Sequence, residues 1–356
     1  MDNQLTADNY VHFLAAGTYR TFAFRAQTKA DFEAWQRAFR PHLRRMLGLD
    51  AIADRGACDL QPRQVGEETL EDADTGLHYI REEWAIQTEP GFEVPFYLLR
   101  PADVTEPRPL VLTPHGHGKA GKRTYVGIWD NEEEQLSIAE GERDIALQAV
   151  REGYVAIAPD MRAFASMRRQ QEIEEDATSS CRVMQMRALM FGRTLIGERV
   201  WDIGRLIDYA ATRPEVDANC VAITGNSGGG TVSLFAAACD PRITVAVPSS
   251  YFCTFEASIG SIRHCECNYV PGILAVGEMC DVAGLIAPRP FLAVAGRTDL
   301  IFPYAGVQLA FERLSHIYEV AGVPERCQLY IGDGGHRYYK AAVWPFVKQG
   351  FVSEEF

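Results

Sequence analysis

The chain has 356 residues, 47% of them hydrophobic, enough for a large core plus an added segment. Its 35 basic residues are outnumbered by 48 acidic ones, and the formal net charge of −13 argues against nucleic acid or an anionic membrane surface as a partner. Nine cysteines, an odd number with several inside apolar runs, read as free thiols in a reducing compartment rather than a disulfide framework.

The start, Met1-Asp2-Asn3-Gln4-Leu5, shows neither a basic nor an apolar leader region, and no run of about 18 apolar residues follows, so a cytoplasmic location is expected. Tyr10, Phe13, Leu14 and Tyr19, then Trp35, Phe39, Leu43, Met46 and Leu47, recur at helical spacing. They carry no catalytic signature, so residues 1–70 are read as a helical extension packed on the core or used in contacts between copies of the chain. Residues 78–87 and 91–100 alternate in polarity around Gly91 and predict an antiparallel hairpin that opens the sheet. Short apolar strands and amphipathic helices then alternate. Strands are predicted at 110–113, 154–158, 220–224, 243–247, 291–295 and 328–331. Helices are predicted at 143–151, after 230, and at 307–320 and 341–348, with one long helix at 183–211. This alternation predicts an α/β class domain over 71–356 with a mostly parallel, doubly wound sheet. Its reactive groups should gather at the carboxyl ends of the strands. Residues 249–282, rich in Cys and aromatic side chains, form an insertion expected to cover the site.

Within that pattern, Gly225-Asn226-Ser227-Gly228-Gly229 lies between an apolar strand and a helix of small residues. A G-x-S-x-G sequence in this setting is the nucleophile elbow of an α/β-hydrolase. The turn holds the Ser in a strained backbone, and the glycines let strand and helix approach closely. A Ser hydroxyl needs a base. In this fold the acid and then the His follow the Ser along the chain. His336, directly after the last strand, is the expected base; His316 lies in a helical pattern and His264 in the insertion. Asp299, after the strand 291–295, is the expected acid, and Asp333 is the rival beside His336. The backbone N–H groups of Gly228 and His117 are expected to form the oxyanion hole, the second coming from Pro114-His115-Gly116-His117-Gly118. His115, Arg162, Tyr251 and Tyr269 are candidate substrate contacts. The H-x-H and C-x-C spacings lack a second well-spaced pair, so neither a metal nor another cofactor is expected.

Further stretches carry a resemblance: Thr194-Leu195-Ile196-Gly197-Glu198-Arg199-Val200-Trp201-Asp202, Cys267-Asn268-Tyr269-Val270-Pro271-Gly272 and Ala287-Pro288-Arg289-Pro290. With the elbow, they make residues 78–350 resemble the acetyl xylan esterase-like and dienelactone hydrolase-like α/β-hydrolases. The resemblance implies a Ser227-His336-Asp299 triad and an acyl-enzyme intermediate. The substrate it implies is a short-chain ester of a small molecule or oligosaccharide. A dienelactone hydrolase proper would use Cys where Ser227 stands. A prolyl oligopeptidase-like peptidase shares the elbow, but the residues before the hairpin are too few for its propeller. A non-catalytic binding module would be expected to lack the base or the acid.

Overall fold

A nine-stranded sheet runs through the molecule in the order β1-β2-β3-β5-β4-β6-β7-β8-β9. The strands are β1 Arg63–Glu71, β2 His78–Glu89, β3 Phe92–Pro101, β4 Arg108–Leu112, β5 Val155–Pro159, β6 Val216–Asn226, β7 Val245–Ser249, β8 Phe291–Gly296 and β9 Cys327–Gly332. The structure is a computed structural model describing residues 6–55 and 58–352; the start Met1–Leu5, on which the leader expectation rests, lies outside the described residues. β1, β2 and β3 pair antiparallel, as do β3 and β5, and every pairing from β5 to β9 is parallel. β5, β7 and β8 are buried along their whole length, as continuous apolar runs covered on both faces must be.

Helices cover both faces. One side carries Lys29–Leu47, Leu195–Ala210, Gly228–Cys239 and Tyr304–Ala321, with Phe39, Leu43, Ile203, Phe235 and Leu314 in its core. The other carries Ile145–Arg151 and Lys340–Val352, with Val150, Trp344 and Val347 inside. From β4 the chain crosses to β5 on one side and then to β6 on the other. That reversal opens a crevice at the carboxyl ends of β4 and β6, the usual place for a ligand in such a sheet.

Two sequence-based boundaries move. The sheet begins at Arg63, inside the expected 1–70 extension, because β1 pairs along β2 ahead of the predicted hairpin. The long helix expected at 183–211 is two, Cys181–Met190 and Leu195–Ala210. Gly192 turns the chain at φ +68°, and Thr194 caps the second helix by accepting from Gly197 N–H at 3.0 Å. The helix Lys29–Leu47, second in the chain after Ala7–Gly17, docks on the elbow helix. Arg40 and Arg44 donate to the terminal carbonyls of Ala238 and Cys239, at 3.0 and 3.2 Å. Cations at the C-terminal end of a helix are favourable partners for its free carbonyls. Among the described residues, no helix is long and apolar enough to cross a membrane.

Candidate active site

Ser227 directly follows β6 with φ 57° and ψ −116°, a left-handed backbone that a non-glycine residue adopts only when its surroundings enforce it. The enforcement is visible. Ser227 N–H donates to Ser249 O at 2.9 Å, and Asn226 N–H donates to the Tyr125 hydroxyl at 3.0 Å. Pro114 O sits 2.3 Å from where a Cβ on Gly225 would lie and 2.1 Å from one on Gly229. Only glycine at both positions lets the loop after β4 rest on the elbow. Burial lifts the Tyr125 hydroxyl to about 12, so it stays neutral while its oxygen faces the Asn226 and Gly116 backbone.

His336 and Asp299 come from the loops after β9 and β8. Arg297 N–H donates to Gly332 O at 2.8 Å and Thr298 N–H to Gly334 O at 3.1 Å, tying the two loops together. His336 Nδ1 lies 2.8 Å from Asp299 Oδ2. The other carboxylate oxygen of Asp299 accepts from the backbone of Ile301 and Phe302, at 2.8 and 3.2 Å. Phe302 stacks on the His336 ring at 5.8 Å between centroids. Carboxylate and phenyl ring together fix the imidazole plane, and Nδ1–H facing Asp299 leaves Nε2 free to accept a proton. Asp333, the rival acid, is fully exposed, with Arg297 at 4.0 Å. His316 is exposed on its helix beside Glu319. His264 lies 3.0 Å from Ser258 Oγ.

Ser227, Gly228, His117 and His336 line one cavity of 580 Å³. The Gly228 N–H is at the start of the helix Gly228–Cys239, and a Cβ on Gly228 would lie 2.9 Å from His117 Nδ1. The loop after β4 and the elbow thus meet where an oxyanion would need donors. Although His117 is solvent-exposed on one side, the loops crowding its ring, together with the charge of Arg199, push its pKa down to about 4.

The expected substrate contacts separate. His115 borders the cavity, but both ring nitrogens are engaged: Nδ1 lies 2.7 Å from Gly116 O and Nε2 accepts from Met161 N–H at 3.0 Å. That pair of partners selects the Nδ1–H tautomer. Arg162 does not line the cavity. Its guanidinium grips Asp202 in two bonds of 2.7 and 2.6 Å and reaches Glu89 at 2.7 Å, buried on all sides. Tyr251 is buried with its ring edge-on to Phe302, and Tyr269 is 44% exposed over a different hollow, its carbonyl accepting from Gln185. The insertion reaches the cavity through Ile262, Arg263, His264, Cys265 and Asn268 instead. Lys119, Glu134, Arg143 and Phe302 also line it. No motif marked these residues, because they join the wall only when the loops after β4, β7 and β8 are folded together.

Comparison with known proteins agrees with this architecture. The model of the Abhydrolase family matches residues 3–341, so the N-terminal helices fall inside the family match. The chain is 26% identical over 247 residues to the Putative hydrolase YtaP of Bacillus subtilis (strain 168), spanning 68% of this chain and 78% of that protein. Among solved structures it is similar to a putative acetyl xylan esterase from Bacteroides fragilis NCTC 9343. Identity is 18% and the TM-score 0.73, with 96% of this chain and 84% of that chain covered. It is also similar to a glucuronoyl esterase from Solibacter usitatus, at 16% identity and a TM-score of 0.65, covering 94% of this chain and 98% of the other. The chain therefore belongs to the Abhydrolase family and is a hydrolase built on the α/β-hydrolase fold.

Proposed function

We propose that this protein is a serine carboxylesterase that hydrolyses short-chain acyl esters, acetyl esters above all, of small molecules or oligosaccharides. The observation that carries the proposal is the 2.8 Å pairing of His336 with Asp299 on the same cavity as the strained Ser227. Ser227 Oγ attacks the ester carbonyl while His336 Nε2 takes its proton. The negative charge that develops on the carbonyl oxygen is met by the backbone N–H groups of Gly228 and His117. Collapse of the tetrahedral intermediate breaks the ester C–O bond, and His336 returns the proton to the departing alcohol. Water then attacks the acyl-enzyme with His336 again as base, releasing the carboxylic acid and restoring Ser227. Asp299 holds the imidazole tautomer and stabilises the transient imidazolium.

The walls support a small acyl group on a polar alcohol. Ile301, Phe302 and Ile262 give an apolar patch, and Lys119, Glu134, Ser137, Arg143 and Arg263 give the polar groups that hydroxyl-rich alcohols require. Acetyl xylan esterase and glucuronoyl esterase neighbours are in keeping with a carbohydrate ester. Free cysteines throughout the fold support action in a reducing compartment. The test is hydrolysis of p-nitrophenyl acetate, acetylated sugars and aminoacyl-proline amides by wild type and Ser227→Ala. Acetyl esters should be preferred, and the substitution should lower kcat by about 10³-fold or more. Equal rates in both proteins, or a preference for the amides, would overturn the assignment.

A further inference from the structure

Beside the cavity, three chain segments bring sulfur and imidazole together. Cys267 Sγ lies 3.4 Å from Cys265 Sγ and 3.7 Å from His117 Nε2, and the three ligand atoms all fall within 4.8 Å of one another. The Cys181 thiol, at the start of the helix Cys181–Met190, interacts with both of those thiols. His117 comes from the loop after β4, and Cys265 and Cys267 from the insertion. We propose that His117, Cys181, Cys265 and Cys267 form a tetrahedral structural zinc site that fastens the oxyanion loop to the insertion.

The spacing fits. Zinc–sulfur bonds of about 2.3 Å and zinc–nitrogen bonds of about 2.0 Å at tetrahedral angles put neighbouring ligand atoms about 3.5–3.8 Å apart. The separations of 3.4 and 3.7 Å around Cys267 need little adjustment, whereas Cys181 lies outside the 4.8 Å group and must move inward to complete the tetrahedron. A ligand set of thiolates and one imidazole selects zinc among the common cations.

A second observation concerns the charge beside the ligands. Arg199 is 1% exposed, and its guanidinium donates to Arg162 O at 3.1 and 2.7 Å and to Cys181 Sγ at 3.4 Å, with its face on Phe164. Among the described residues it makes no ion pair with a carboxylate. A buried guanidinium without an anion is costly. Zinc bound by three thiolates and a neutral imidazole carries one net negative charge, and Arg199 cancels it. On binding, the thiol protons pass to solvent. A 350 Å³ hollow lined by His117, Phe164, Thr178, Ser179, His264 and Cys265 gives the ion a path from the surface.

The site is tested on the full chain, purified under reducing conditions without chelator, and again after removal of metal and reloading with Zn²⁺ alone. The expected result is about one zinc per chain by mass spectrometry. Cys267→Ser and Cys181→Ser should each lose the metal, whereas Cys58→Ser, a half-buried cysteine elsewhere, should retain it. Replacement by Co²⁺ should give thiolate-to-metal charge-transfer absorption in the wild-type protein, a readout that does not depend on any variant folding. Zinc-free protein after reloading overturns the proposal. So does a cobalt spectrum without thiolate bands, or a disulfide among these cysteines in place of metal.

Discussion

Ser227 is held by neighbours that make its torsions unavoidable: Ser249 O below it, the Tyr125 hydroxyl one residue back, and Pro114 O against the flanking glycines. The sequence announces the strain, because only a G-x-S-x-G elbow needs glycine on both sides of the Ser. It does not announce what enforces it. Asp160 shows the same limit. It follows β5 and anchors the far end of the loop after β4, accepting from Lys122 N–H at 2.9 Å and from Ser166 Oγ at 2.6 Å. Burial alone would raise its carboxyl, but the Lys122 ammonium and backbone N–H hold it down at about 2. A carboxyl depressed in the folded state adds stability above its unfolded value, near 3.9, and that contribution disappears as pH falls through the folded value. Asp160→Asn should therefore cost about 2 kcal/mol at pH 7. The gap from wild type should shrink between about pH 4 and pH 2. Urea midpoints at pH 7 and pH 3 check this, and a gap of constant size would count against it. Arg162 was legible as a charge at the carboxyl edge but not in its direction. Whether a guanidinium faces substrate or a buried Asp202 depends on the Leu195–Ala210 helix, distant in sequence.

Among the elements, the short loops at the carboxyl ends of the strands hold the candidate triad, and backbone bonds between neighbouring loops set its geometry. The choice of Asp299 over Asp333 could be argued from strand order, and β8 lying beside β9 gives the reason, since their loops share the Arg297–Gly332 and Thr298–Gly334 bonds. Gly296 makes that approach feasible: a Cβ there would lie 2.1 Å from Gly335 O. Gly296→Ala should push the His336 loop away and lower kcat by about 10²-fold with KM nearly unchanged, as expected when only transition-state geometry is lost. Steady-state kinetics on an acetyl ester decide it; an unchanged kcat would mean the loop is not positioned from β8. The break at Gly192 was readable in the same terms, since a glycine two residues before a Thr cap is a helix end and a helix start. Tyr251 and Tyr269, by contrast, gave no sign of which way they face, because the insertion has no periodicity to orient them.

Across the whole molecule, the order of strands and helices follows from alternating apolar runs, and the crevice at β4 and β6 follows from that order. What is gathered in the crevice does not. The cavity wall and the thiol–imidazole cluster each join residues from separate loops, so no local spacing encodes them: His117 and Cys267 are 150 positions apart yet 3.7 Å in space. The helix Lys29–Leu47 is likewise part of the same body, bound through Arg40, Arg44 and Gln36 to the elbow helix and to the turn at Leu285 and Ala287 before β8. On the proposed mechanism this assembly activates one hydroxyl, that of Ser227. The direct measurement is labelling with a fluorophosphonate probe, followed by peptide mapping, in wild type, Ser227→Ala and His336→Ala. About one adduct per chain is expected, on Ser227, absent from Ser227→Ala and formed far more slowly in His336→Ala. Labelling at another residue, or at an undiminished rate without His336, would contradict it.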